Sequence, residues 1–299
     1  MARAITDDRA TTVGSSEGLT TPKSAKWKPV LSQTGLIVTL VFLLALSFIT
    51  IILMVFLSLK DNGQIYGRFW SPPDPIVWEN YRTGWETMRR YVLNSLLYSF
   101  ASVAGVVFLS SLSGYVFARH KFPGKEAIYL MILALLMVPG ILTLIPAFVL
   151  VRDLGLLNTP WALILPWTAG GQVFGILLCR SFFATLPQDL FDAAKIDGAG
   201  EIEQYWRIAL PLSWPIMVTL AIMHLVSTYN DFIWPLLTIS DPSIQVVTVG
   251  LTQFTTEFGI INWGPRMAAY AISSLPLVVL FTFGMRYYVR GLTSGALKG

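Results

Sequence analysis

Charge is what this sequence has least of. Only 13% of its 299 residues are Asp, Glu, Lys or Arg, against 54% hydrophobic, where a soluble domain carries about 25% charged residues. That shortage excludes an ordinary soluble enzyme or binding domain and points to a polytopic membrane protein. Cysteine is nearly absent: the single Cys179 rules out an internal disulfide. The two histidines, His120 and His224, lie far apart, so no Cys/His metal spacing exists and no thiol nucleophile is assembled locally. No Gly-x-x-x-x-Gly-Lys-Ser/Thr phosphate loop occurs, so the chain does not hydrolyse ATP by that route. A net charge of +4, spread along the chain, does not suggest nucleic acid.

What is present is apolar length. A bilayer-spanning helix needs about 20 mainly apolar residues, and six runs free of Asp, Glu, Lys and Arg supply them: 29–59, 91–118, 127–151, 154–179, 208–230 and 267–285. A seventh charge-free stretch, Pro242 to Thr256, is too short and reads as loop. The first run is too long for a cleaved signal peptide and reads as a retained helix. Ahead of it, residues 1–30 read as a polar, disordered tail, and Lys26-Trp27-Lys28 suits the headgroup boundary. With the N-terminus inside, the inner segments hold 14 of the 21 basic residues and the outer loops 7, which favours both termini in the cytoplasm. Arg89 and Arg90 run against that count, since they fall at the outer mouth of the second span.

No Asp, Glu, Lys or Arg lies deep in a span. Ion-coupled carriers ordinarily need an intramembrane ionisable group; His224 is the one candidate and reads as a hydrogen-bonded packing residue. Pro139, Pro146, Pro166, Pro215 and Pro276 interrupt four spans. Each frees a backbone carbonyl that a neighbouring helix or water must satisfy. Such kinks either serve a pathway that opens and closes or only shape packing, and the sequence leaves both open.

The segment between the fourth and fifth spans breaks the apolar pattern. Pro187 suits a helix first turn, with Leu190, Phe191, Ala193 and Ala194 following. Asp197-Gly198 is a break, because Gly takes positive φ at a helix end without steric cost. A second helix is expected near Glu201, with Glu203 also in its first turn and Ile202, Tyr205 and Trp206 on one apolar face. Paired alanines and Gly198 would let another backbone approach closely. A surface-lying amphipathic helix is the bland alternative, but those are usually rich in Lys and Arg, whereas five acids face three bases from Arg180 to Arg207.

The stretch DAAKIDGAGEIEQYWRIALPLSWP resembles the coupling loop of ABC importer permeases. It matches that pattern at Ala193, Ala194, Asp197, Gly198, Ala199, Leu210, Pro211 and Pro215. It departs at Asp192, where the family usually has Glu. SGYVFARHKFPGKE, MVPGILTLIPAFVLVRDLGLLNT, RSFFATLPQDLFDAAKIDGA, YNDFIWPLL and RYYVRGLTSGALKG resemble the sugar-importer subgroup, similar to the second, six-span permease of maltose-type importers.

The resemblance implies an all-α integral membrane protein of six transmembrane helices. A coupling helix-turn-helix (loop 180–211) would lie within a permease domain at 31–290, and a cytoplasmic tail would occupy 291–299. It implies a bacterial or archaeal cytoplasmic membrane, a second permease, two cytoplasmic ATPase subunits that bind ATP and magnesium, and an extracytoplasmic binding protein. This chain would carry no catalytic group, cofactor or metal of its own. By resemblance the ATPase contacts are Phe191, Asp192, Ala193, Ala194, Asp197, Gly198, Ala199, Tyr205, Trp206 and Pro211, with Gly291, Leu292, Gly295 and Lys298 from the tail. The outer loop Asp231–Arg266 would reach toward the binding protein. Sugar pathways are lined by aromatics and amides, which makes Trp167, Gln172, Asn230 and Trp234 the pathway candidates. The solute is expected to be a sugar or oligosaccharide; glycerol phosphate in the same superfamily, or an ion-coupled carrier, are the alternatives.

Overall fold

The computed structural model describes residues 28–254, 259 and 261–296, and side chains over 33–254, 259 and 261–285. The regular elements among them are helices. The first are α1 (Lys28–Ser58), α2 (Asn62–Gly67), α3 (Glu79–Arg119), α4 (Lys125–Ala134), α5 (Gly140–Asp153) and α6 (Trp161–Phe183). Then come α7 (Gln188–Ile196), α8 (Glu201–Gln204), a π-turn (Tyr205–Ala209) and α9 (Leu210–Leu212). The last are α10 (Trp214–Tyr229), α11 (Ile233–Thr238), α12 (Val247–Gly250) and α13 (Trp263–Ala296). The chain divides into two compact units, Met1–Ile51 and Ile52–Gly299. In the first, the helix is apolar all round, with Leu36, Phe42 and Phe48 exposed, the pattern of a membrane span.

Among the described residues, four helical stretches are long and apolar enough to cross a membrane: Gln33–Ser58, Glu79–Arg119, Trp161–Phe183 and Trp263–Met285. The runs expected at 127–151 and 208–230 are each broken in two. Lys125–Met137 meets Gly140–Asp153 at 102°, and Glu201–Leu212 meets Trp214–Tyr229 at 73°. Proline accounts for both breaks. Val138 (φ −84°, ψ 114°) is pushed extended by the ring of Pro139. Pro215 lacks an N–H, and its ring would collide with the carbonyl four residues back, so the helix breaks at Ser213 (φ −96°, ψ 6°).

Helix ends do not follow the charges. Helix α3 starts at Glu79, well before the apolar run that opens at Tyr91, and Arg82 pairs with Glu79 and Glu86 on that extension. Conversely, 154–160 is free of charge yet not helical; α6 begins after Pro160. Asn158 there takes φ 58°, and its Oδ1 accepts the Ser240 and Asp241 N–H groups.

The second unit is organised around α3, which packs against α6, α10 and α13. Small residues let backbones approach, as in lipid they must, since apolar burial gives no drive between helices there. A Cβ on Gly114 would lie 2.5 Å from Cys179 Cβ, and one on Gly175 would run into Ser110. Buried Ser95, Ser99, Ser102, Ser110 and Ser111 run down the inward face of α3. Ser110 donates to Gln172 at 2.9 Å, and Ser102 bonds His224 Nε2 at 2.8 Å.

The carbonyl that Pro166 frees inside α6 is satisfied. Trp234 Nε1 donates to Ala162 O, four residues before the proline, at 2.8 Å. Of the stretch 242–256, expected as loop, the described part up to Phe254 folds inward: Val246, Val247 and Val249 are buried, and α12 falls within it. Asn94 Nδ2 donates to the Ser243 and Gln245 carbonyls at 3.0 Å each, and the Val247 N–H is taken by Ser95 Oγ at 2.8 Å.

Candidate functional site

The helix-turn-helix expected at 180–211 is present, and a small set of contacts pins its inner side. Phe191 is 2% exposed and packs against Tyr115, whose ring also meets Phe183 and Tyr205 at 5.8 and 5.3 Å. Arg119, last residue of α3, lies over the Phe191 ring at 4.2 Å. It donates to the Phe183 and Leu186 carbonyls at 2.7 Å each and to Gln188 Oε1 at 2.9 Å. Tyr205 is buried, its hydroxyl 2.7 Å from Ser111 Oγ. His120 bridges to Glu201 at 3.3 Å, and Arg180 to Glu126 at 3.0 Å.

The turn is built as its residues dictate. Pro187 stands at the N-cap (ψ 132°) rather than in the first turn, and Asp189 and Lys195 occupy the helix ends that the dipole favours. Gly198 takes φ 84°. The Ala199 N–H reaches Ala194 O at 2.9 Å and the Gly198 N–H reaches Lys195 O at 3.1 Å, the paired bonds of a Schellman end. Gln204 Nε2 closes the corner onto Ala199 O at 2.9 Å. The second helix is α-helical for only four residues before the π-turn. Ile202, Tyr205 and Trp206 do share a face: with Leu112 and Tyr115 they line an apolar groove of about 300 Å³.

The outer side is bare. Asp192, Ala193, Asp197 and Gly198 are exposed, Ala194 and Ala199 are half-buried, and Trp206 and Pro211 stand open. Asp192 accepts from Gln188 within its own helix at 3.0 Å. A corner pocket of about 350 Å³ is lined by Ala194, Asp197, Gly198, Glu203 and Arg207. Ile196, at the tip of α7, is 88% exposed. Sequence reasoning passed over Ile196 and Arg119. The signals were a lone aliphatic residue between Lys195 and Asp197, and a guanidinium closing an apolar helix.

The backbone of α13 continues through Gly291, Leu292 and Gly295 to Ala296, so 290 is not a helix end; those side chains, and Lys298, lie outside the described residues. The four pathway candidates lie in different surroundings. Trp167 and Trp234 share one buried cluster. Trp167 Nε1 donates to Asp231 Oδ2 at 2.7 Å, and the Asp231 carbonyl takes the Thr248 hydroxyl at 2.6 Å. Gln172 faces α3 through Ser110, with its Nε2 buried and unpaired. Asn230 is exposed at the end of α10. Beyond it, Asp241 accepts the Ser243 N–H at 2.7 Å, which holds that carboxyl below its ordinary range. A mostly apolar cavity of about 320 Å³ lies between α6 and α10, and His224, expected as a hydrogen-bonded packing residue, lines it while bonded to Ser102. Among the described residues no three His, Cys, Asp or Glu side chains are grouped to hold a metal ion.

A family model described as "Binding-protein-dependent transport system inner membrane component" matches residues 107–294. The "Probable ABC transporter permease protein YurM" of Bacillus subtilis (strain 168) is 33% identical over 86% of both chains. The "Trehalose/maltose transport system permease protein MalG" of Thermococcus litoralis is 37% identical over 70% of this chain and 75% of its own length. Among solved structures, a chain of a bacterial ABC transporter involved in the import of the acidic polysaccharide alginate superposes with a TM-score of 0.77 at 18% identity, covering 90% of this chain and 100% of that one. That superposition concerns the fold alone; the family match and the sequence relatives carry the assignment. A helix-turn-helix pinned inside and bare outside, among apolar helices, is thus found on a chain that belongs to the family of inner membrane components of binding-protein-dependent transport systems.

Proposed function

We propose that this chain is one of the two permease subunits of an ATP-driven importer for a sugar or oligosaccharide. Each bent helix pair counts as one span, which makes six, with both termini cytoplasmic in a bacterial or archaeal membrane. A second permease completes the pathway, and lipid surrounds both. Two ATPase subunits bind ATP and magnesium, and an extracytoplasmic binding protein delivers the solute. Asp231–Arg266 faces that protein, and the C-terminal stretch with Gly291, Leu292, Gly295 and Lys298 meets the ATPases.

One observation carries the coupling role: the α7 turn is fastened to its own protein by buried contacts and bare toward solvent. Phe191, Arg119 and Tyr205 fasten it to α3, while Ile196 stands 88% exposed. An exposed aliphatic tip ringed by small and acidic residues fits a groove on another protein. Movement of that partner passes through the buried contacts to α3, and through the π-turn to α9 and α10. Such a contact couples two sites when its free energy differs between states, by about 1–3 kcal/mol.

A sugar suits the α6–α10 cavity, whose lining includes no Lys or Arg; a phosphate-bearing solute would find no counter-charge there. Names of relatives such as the trehalose/maltose permease point the same way. The test is reconstitution with the partner subunits. Asp197→Lys and Gly198→Pro are expected to insert normally yet abolish uptake and the binding protein's stimulation of ATP hydrolysis. Wild-type values of both activities in these variants would sink the coupling assignment. Ile196→Ser is expected to weaken binding of the ATPase by about tenfold, a loss near 1.4 kcal/mol, without changing folding.

A further inference from the structure

The geometry points to a solute subsite carried by this chain itself: the cavity between α6 and α10 receives one ring of a neutral sugar. This rests on the importer reading and deepens it. The volume, about 320 Å³, is at the small end of the roughly 300–1,000 Å³ typical of small-molecule sites. Its walls come from two helices, Gly170, Gly171 and Phe174 on α6 and Leu220, Met223, His224 and Ser227 on α10.

Each wall residue has a physical part. A Cβ at Gly170 would meet nothing within 4 Å, so that position is open space rather than a packing contact. At Gly171 a Cβ would lie 2.6 Å from Val106 and 2.7 Å from His224 Cε1, so only glycine lets the imidazole lie against α6. The imidazole is held from behind: its Nε2 is 2.8 Å from Ser102 Oγ, which also receives the Thr168 hydroxyl at 3.3 Å. The Nδ1 edge is left on the Gly171 side. Phe174 is 37% exposed and offers an apolar face to the C–H side of a sugar ring. Ser227 is exposed one turn along α10 from His224, and Asn230 continues the same strip outward. Polar side chains at membrane depth are costly and face a pathway or a partner rather than lipid. A hydroxyl and an imidazole beside an aromatic face, with no Lys or Arg, match a neutral polyol ring.

The experiment uses the complete importer in proteoliposomes, with uptake of maltose, trehalose, melibiose, diacetylchitobiose and glycerol 3-phosphate measured beside binding-protein-stimulated ATP hydrolysis. Wild type taking up only glycerol 3-phosphate, or none of the five, would refute the sugar reading itself and the subsite with it. Where wild type takes up a sugar, Phe174→Ala, Ser227→Ala and Gly170→Leu are each expected to lower its uptake at least tenfold. ATPase stimulation should stay within about twofold, and preference among the four sugars should shift. Ser227→Thr should restore uptake. Gly170→Ala meets no neighbour, so it folds, and it is expected to reduce uptake two- to fivefold. Uptake within twofold of wild type in all these variants would overturn the subsite while leaving the importer reading intact. Uptake and ATPase stimulation falling together would overturn it too, since the positions would then hold the assembly rather than the solute.

Discussion

The segment 184–212 and the segment 231–254 are both strings of short helices between long ones, yet they are held in opposite ways. The first is attached by a few strong anchors, Phe191, Arg119 and Tyr205, and leaves Ile196, Ile202 and Trp206 exposed. The second is folded into the bundle, with Trp234, Ile239, Val246, Val247 and Val249 buried and its backbone tied to α3 by Asn94 and Ser95. The proposed coupling role calls for a firm connection inside and a free face outside. The outer segment keeps one side of α11 open, with Ile233, Leu236 and Leu237 exposed, and buries most of its other apolar side chains.

Removing an anchor is the harshest way to break this contrast. Phe191→Ala deletes a buried ring at a cost of about 3–5 kcal/mol, felt in the turn and not in the outer segment. Limited proteolysis of the purified protein is expected to cut near 184–200 while 231–254 stays protected. Equal cutting at both would mean the two segments are not independently held.

Trp234→Phe probes the opposite side. It keeps the ring's bulk but leaves the Ala162 carbonyl beside Pro166 without its donor, a loss of about 1–3 kcal/mol. The expected result is a lower thermal unfolding midpoint with unchanged proteolysis of the α7 turn. Gly198→Ala forces a side chain into φ 84° at a cost of about 1–2 kcal/mol; hydrogen exchange at the Gly198 and Ala199 amides should quicken, and unchanged exchange would count against the Schellman end. The smallest effect is expected from Asp192→Glu. The exposed Gln188–Asp192 pair contributes about 0.2–0.5 kcal/mol, so uptake and stability should both stay within error of wild type.

Much of this was legible in the residues. The charge-free runs locate the apolar helices, although charge marks where an apolar span stops and not where a helix stops, as α3 shows by beginning at Glu79. Asp197-Gly198 announced the turn, and prolines announced the interruptions. Phe191, Asp192, Ala193, Ala194, Asp197, Gly198 and Ala199, named from the sequence, lie on α7 and the turn that follows it. The partners of the two tryptophans were not legible, because Asp231 for Trp167 and the Ala162 carbonyl for Trp234 lie on other elements and leave no local trace.

By itself, then, the sequence determined what depends on neighbours within a turn or two: the apolar lengths, the glycine that accepts positive φ, and the prolines that cannot donate. The tertiary structure alone decided the size of the bends, 102° and 73°, the burial of Phe191 beneath Arg119, the donor for the carbonyl freed by Pro166, and the facing of His224 across Gly171. These depend on which helices meet and at what register. In a membrane that is set by small residues such as Gly114 and Gly175 letting backbones close, a matter of pairs of helices rather than of any one segment.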